Sequence, residues 1–287
     1  VPNSDAEIDG YVVERPSGRG GNATVYVAHR PPAGAPVALK VLDADHREQA
    51  DTDRLRREFR FARQFDHPHI VKVYECGRHW LAMQLVDGGD AGTLAALGDR
   101  LAALTQIAEA LDLVHRLGVV HCDVKPSNIL VFKDFALRGA VLTDFGVAHS
   151  LAEDIGQRLS RCSAGLSLDP AKRITDQGAE RPAMVQASLS YAPPELLLGR
   201  MPSAASDIYA LACTAVELVT GEPPFPATTP IALMYAQLHQ LPPRLSERHT
   251  GIPHAFDSVV AKALAKQPEV RYASCTEFVA ALTQTLR

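Results

Sequence analysis

Asp123, Lys125 and Asn128 stand in one short stretch, His121-Cys122-Asp123-Val124-Lys125-Pro126-Ser127-Asn128, and a further acid opens Asp144-Phe145-Gly146. Two separated acids and an amide near a single loop suit phosphoryl transfer from a nucleotide to a hydroxyl. A triphosphate must be held through its metal ions while a base receives the acceptor's proton, and Asp123, Asn128 and Asp144 can supply those separate functions. A hard divalent cation prefers oxygen ligands and usually keeps water or phosphate oxygens, so Asn128 and Asp144 need not build a complete cage. The bland description of the same residues is a solvated acidic loop.

These groups need elements to position them. Five β-rich runs precede the loop, Tyr11 to Arg15, Thr24 to Ala28, Val37 to Leu42, Val71 to Cys76 and Trp80 to Gln84, and they predict a small antiparallel sheet. One helix, Thr52 to Phe65, interrupts them, with Leu55, Ala62 and Phe65 on its apolar stripe. Glu58 falls within that stripe. An unpaired acid facing a core is costly, and Lys40 on the preceding run is the natural cation for it; the other placement leaves Glu58 at the stripe's edge in solvent. Gly18, Gly20 and Gly21 lie between two β-rich runs in Gly18-Arg19-Gly20-Gly21-Asn22-Ala23-Thr24-Val25, which suits either a hairpin turn or a backbone cover over phosphates.

After Asp87-Gly88-Gly89 the pattern lengthens into helical segments at Leu101 to Leu117, Ser203 to Thr220, Ile231 to Gln240, Ala255 to Ala265 and Thr276 to Leu286. Ile129 to Phe132 and Gly139 to Thr143 read as a short hairpin that supports the loop between them and the helices. Asp207, at the start of an apolar helix, reads as an N-cap. The expected architecture is α+β and two-lobed: residues 8–86 form a small sheet lobe with one main helix, and residues 87–287 a larger, mainly helical lobe. A ligand would enter between them.

With 46% apolar residues and 22% charged ones, the composition is that of a soluble globular enzyme. The net charge of -4 gives no polycationic footprint, which argues against nucleic acid as a partner. No run reaches the roughly 18 uninterrupted apolar residues of a spanning helix, so no membrane contact is required of this chain. Cys76, Cys122, Cys162, Cys213 and Cys275 lack metal-type spacing and are odd in number, which fits a reducing cytoplasm.

The quoted motifs resemble the catalytic loop and metal-binding motif of protein kinases, and Val37-Ala38-Leu39-Lys40 resembles the family's Val-Ala-Ile-Lys. With Ser206-Asp207-Ile208-Tyr209 and Gly221-Glu222-Pro223-Pro224-Phe225, the chain is similar to bacterial eukaryotic-like serine/threonine protein kinases. The resemblance implies ATP with magnesium, or manganese in its place, as cofactors and protein serine or threonine hydroxyls as acceptors. It implies that Lys40 contacts the α and β phosphates while Glu58 holds it, and that Gly18, Gly20 and Gly21 cover the phosphates. Val25 and Ala38 would lie on one face of adenine and Leu130 on the other. Met83 would precede a hinge, Gln84-Leu85-Val86, whose backbone reads the adenine edge. Asp123 would be the base, Lys125 would neutralise the transferring group, and Asn128 and Asp144 would hold the metal. Glu195 would pair with Arg271, and Asp207 would brace the catalytic loop.

Some positions depart from the family. Ala23 stands where glycine is usual, Pro193 where alanine is, and Ser188 at a threonine position near the end of an activation segment spanning 144–195. Cys122 replaces the arginine that receives an activation-loop phosphate, so activation is expected to depend less on loop phosphorylation. The long polar stretch between Gly146 and Pro193, with Thr175 among its residues, is a candidate for phosphorylation or simply a solvated loop. These departures keep two other readings in view, a catalytically weak binding module and a small-molecule phosphotransferase. The subfamily often carries a distal transmembrane and sensor region; a chain beginning at Val1 is compatible with an excised catalytic domain. A homodimer is neither implied nor excluded.

Overall fold

In the computed structural model, residues 7–32, 34–150 and 189–287 are described. A six-stranded antiparallel sheet occupies the N-terminal part: β1 (Glu7–Ile8), β2 (Tyr11–Arg19), β3 (Ala23–His29), β4 (Val37–Leu42), β5 (Val73–Cys76) and β6 (Trp80–Gln84), in the order β1-β2-β3-β4-β6-β5. Between β4 and β5 runs α1 (Gln49–Ala62). The two-residue repeat of a strand sorts β4 into faces. Leu39 and Val41 pack with Tyr11, Val13, Tyr26 and Trp80 on one side. On the other side Ala38 joins Met83, and Leu42 joins Leu55 of α1, so Lys40, between them on that face, is brought opposite the helix.

The C-terminal part is mainly helical. It comprises α2 (Leu97–Arg116), β7 (Val119–Val120), β8 (Ile129–Val131), α3 (Phe135–Arg138), β9 (Ala140–Leu142), β10 (His149–Ser150), α4 (Pro194–Leu197), α5 (Ala204–Thr220), α6 (Pro230–His239), α7 (His254–Ala263) and α8 (Cys275–Thr285). Its core is built on α2 and α5, whose Leu104, Ile107, Leu111, Leu211 and Val216 are inaccessible to solvent. Each such buried aliphatic side chain stabilises the fold by about 1.5–3 kcal/mol. β8 pairs with β9 as the expected hairpin, Ile129 facing Leu142 and Val131 facing Ala140. The hairpin is tied to the sheet side by Val71 N donating to Leu142 O at 3.0 Å and Leu142 N donating to His69 O at 2.9 Å.

Several boundaries differ from those read in the sequence. The first helix begins and ends three residues earlier than Thr52 to Phe65. Tight turns close it, with Gln64 N bonded to Phe61 O, so Phe65 is buried but lies beyond the helix. β2 runs on to Arg19 because Gly18 and Arg19 still pair with Val25 and Thr24, after register shifts that absorb Glu14 and Ser17. Gly18 therefore belongs to a strand end and not to the turn. β5 starts only at Val73, and α2 starts at Leu97, four residues before the expected Leu101. Among the described residues no helix is long and apolar enough to cross a membrane.

Candidate functional site

The face of β4 that carries Lys40 meets the buried side of α1. Lys40 Nζ lies 2.6 Å from Glu58 Oε2 and 3.7 Å from Asp144 Oδ1. Glu58 is 2% exposed, which rules out its placement in solvent at the stripe's edge. Burial disfavours the Lys40 ammonium, but the Asp144 and Glu58 carboxylates outweigh it and hold the lysine above its ordinary pKa. Burial likewise would lift the Asp144 carboxyl. Lys40, Arg54, Lys125 and His121 reverse that and keep it well below the usual carboxylate range. Glu58 is raised, chiefly by burial with Asp144 adding to it and Lys40 opposing.

Asp123 sits beside this group on the loop between β7 and β8. Lys125 Nζ donates to both of its carboxylate oxygens, at 3.0 and 2.8 Å, and Asn128 Nδ2 donates to its Oδ2 at 2.9 Å and to its backbone carbonyl at 2.8 Å. The Asn128 amide nitrogen is thereby committed to Asp123, which leaves its carbonyl oxygen as the ligand atom. Asn128 and the ionised Asp144 together offer oxygen donors of the kind a hard divalent cation takes.

The loop's backbone is held from below. Asp207 accepts from the amides of His121 and Cys122, each at 2.8 Å, and lies 2.7 Å from His115 Nε2. This corrects the reading of Asp207 as an N-cap. Ser203 occupies the cap position of α5, with Ser206 Oγ accepting its amide at 3.1 Å, and Asp207 is fully buried one turn in. Its role is the one implied by the family resemblance, a brace for the loop. Cys122 adopts a left-handed φ of 68° and Asp144 one of 64°, conformations costly for side-chain-bearing residues and held by these surrounding bonds.

A column of rings links the turn after α1 to the loop. Phe145 is fully buried, its ring centroid 5.4 Å from that of Phe65 and 4.7 Å from that of His121. His121 Nε2 is 3.0 Å from Thr143 O and its Nδ1 accepts the Asp123 amide at 3.3 Å. The sequence reading assigned no role to His115 or His121; the fixed offset of His121 from Asp123 was its only signal.

The proposed adenine wall also comes together. Ala38 and Met83 are buried in one cluster, against which Val25, Leu85, Val86 and Leu130 pack half-buried. Gln84 turns away, its Oε1 accepting the Lys72 amide at 3.3 Å. A Cβ at Gly18 would meet nothing within 4 Å, and one at Gly20 only Ala23 O at 3.5 Å, so the fold alone does not demand glycine at either. Gly21 lies at the turn that follows β2. Ala23 directs its methyl into the cluster of Leu42, Leu55 and Leu81.

Glu195 and Arg271 form a two-pronged buried pair at 2.7 and 2.9 Å. Tyr191 donates to Glu217 at 2.6 Å on the same side of the molecule. Ser188 and Thr175, with Cys162 and the rest of 151–188, lie outside the described residues.

Comparison with known proteins agrees with this geometry. The family model for the protein kinase domain matches residues 11–282. Serine/threonine-protein kinase PknJ of Mycobacterium tuberculosis is 37% identical over 96% of this chain and 45% of its own length. PknF of the same organism is 36% identical over 96% of this chain and 56% of its own length, so the chain spans about half of these relatives. The crystal structure of the M. tuberculosis PknI kinase domain covers 99% of both chains with a TM-score of 0.71 and 30% identity.

Proposed function

The chain belongs to the protein kinase family, as a serine/threonine-protein kinase domain, and from that premise we propose that it transfers the γ-phosphoryl group of magnesium ATP to serine or threonine hydroxyls of protein acceptors. The observation that carries the reading is the closed chain of contacts Glu58–Lys40–Asp144, with Asp123, Lys125 and Asn128 bonded together beside it.

Lys40, kept charged and aimed by Glu58, holds the α and β phosphates. Gly18, Gly20 and Gly21 let the strand-end backbone approach the phosphates; the absence of any steric need for glycine within the fold at Gly18 and Gly20 supports a ligand as the reason. Val25 and Ala38 cover one face of adenine and Leu130 the other, Met83 precedes the hinge, and the backbone of Gln84 to Val86 reads the adenine edge. Asn128 and Asp144 would hold the metal, which would supply positive charge to the phosphates. Asp123 orients the acceptor hydroxyl and takes its proton, a contribution of about 10²- to 10⁴-fold in rate. Lys125, 2.8 Å from Asp123, is placed to balance charge on the transferring group. Residues 8–86 act as the nucleotide lobe and 87–287 as the acceptor lobe. The odd count of five cysteines, without metal-type spacing, supports a reducing, cytoplasmic setting.

Incubation with magnesium ATP and generic protein acceptors tests this. Phosphoserine or phosphothreonine should form and vanish in Asp123→Asn with nucleotide affinity retained. Nucleotide binding without any transfer would make the chain a binding module, and transfer only to small alcohols would make it a different phosphotransferase.

A further inference from the structure

Gln237, on α6 and remote in sequence from the catalytic loop, is completely buried, and both its amide oxygen and its amide nitrogen are hydrogen-bonded. Its Oε1 accepts from Tyr209 OH on α5. Its Nε2 donates to Leu189 O at 3.1 Å and Ser190 O at 2.7 Å, using both amide protons on consecutive carbonyls. The C-terminal end of α6 is fixed in turn by Lys266, whose Nζ donates to Gln237 O at 2.7 Å, Ala236 O at 3.3 Å and Tyr209 OH at 3.3 Å. A cation bound to the last carbonyls of a helix also meets the negative end of its dipole.

On α5, Thr214 donates to Val124 O beside Asp123 at 3.4 Å, and Glu217 lies one turn further along the same helix face. Tyr191, which follows the backbone gripped by Gln237, donates to this Glu217 at 2.6 Å, and burial, that bond and the Glu217 charge push its phenol up. The segment Leu189 to Tyr191 is thus tied to the same stretch of α5 that holds the catalytic loop beside Asp123.

We propose that Gln237 is a positioning residue for the protein acceptor: its carboxamide fixes the Leu189–Ser190 backbone that forms the wall beside Asp123, and Lys266 holds the helix end from which it acts. Substrate contact is not required of Gln237 itself. The inference rests on the kinase reading and adds a residue of α6 that governs acceptor affinity.

The test is steady-state kinetics of Gln237→Leu, which keeps the bulk and removes the three bonds, with one peptide acceptor, with ATP varied separately, and with water as acceptor. The KM for peptide should rise roughly tenfold while kcat, the KM for ATP and the ATP hydrolysis rate stay within about twofold. A residue that served stability alone would lower the melting temperature and leave the peptide KM unmoved, and that result overturns the inference. So does a parallel loss of kcat and of affinity for both substrates. If Gln237→Leu fails to fold, Lys266→Met replaces it, with an expected rise of roughly threefold in peptide KM and an unchanged KM as the refuting result. A wild-type protein that transfers nothing to any acceptor brings down the kinase reading and this inference with it; an active wild type with unchanged variants brings down this inference alone.

Discussion

Removing either partner of the Glu195–Arg271 pair should be costly, and the two removals should differ in their response to pH. Both side chains are almost sealed from solvent, 4% and 0% exposed, and Glu195 also accepts from Ser206 Oγ at 2.7 Å. In Glu195→Gln the guanidinium stays buried with no counter-charge and cannot lose its proton, so a penalty of roughly 3–5 kcal/mol should hold unchanged from pH 7 to about 5. For a domain of this size that is a fall of about 6 to 20 °C in melting temperature. In Arg271→Met the stranded group is a carboxylate, which can neutralise. In the wild type, burial would raise the Glu195 carboxyl, but the Arg271 bonds and charge and the Ser206 bond hold it below its usual value. Its stabilisation is thus present above the unfolded carboxyl pKa of about 4.3 and is lost as pH falls below that. Without Arg271 the sign reverses. The folded state binds the proton more readily than the unfolded one, so the deficit of Arg271→Met shrinks as pH falls from 7 toward about 5. Arg271 also donates to Ala205 O and Ala265 O, but those lost bonds cost the same at both pH values and cancel in the comparison. Urea unfolding of both variants at pH 7 and 5 reads this directly. Losses below about 1 kcal/mol, or equal pH dependence in the two variants, would refute the argument.

Lys40→Met should cut phosphoryl transfer by about 10²-fold or more while the protein remains folded, because the phosphates lose a preorganised cation; transfer assays at saturating ATP measure it. Asp207→Asn leaves one oxygen to serve two amides and His115, and should cost about 1–3 kcal/mol together with a loss of kcat that exceeds any change in KM for ATP. Phosphatase-treated protein should keep most of its activity, since Cys122 offers no charge to a loop phosphate; near-complete loss, restored by rephosphorylation within the loop, would contradict this.

The site was legible where chemistry forces residue identity. Asp123, Asn128, Asp144 and Lys40 stood out as the groups a triphosphate would require, and the fold brings them together, while Glu58 betrayed itself as a charge on an apolar stripe. The sheet and hairpin were legible from β-rich runs, yet their ends were not. Nothing in Pro16, Ser17 and Gly18 announces that the strand continues past two bulges, because the partner strand decides it. Local evidence alone made Asp207 an N-cap, a place that Ser203 and Ser206 hold, whereas the family resemblance implied the brace that its carboxylate provides to a loop 85 residues away in sequence. Gln237 carried no signal at all: a lone amide on a helix takes its meaning from the carbonyls it meets.

Asp207 moors the loop to the innermost helix, whereas Lys40 and Glu58 belong to the sheet and α1. Swinging α1 outward would disarm the nucleotide grip and leave the moored loop as it was. The two halves of the site therefore stand on separate supports, so a displacement that parts one can leave the other in place.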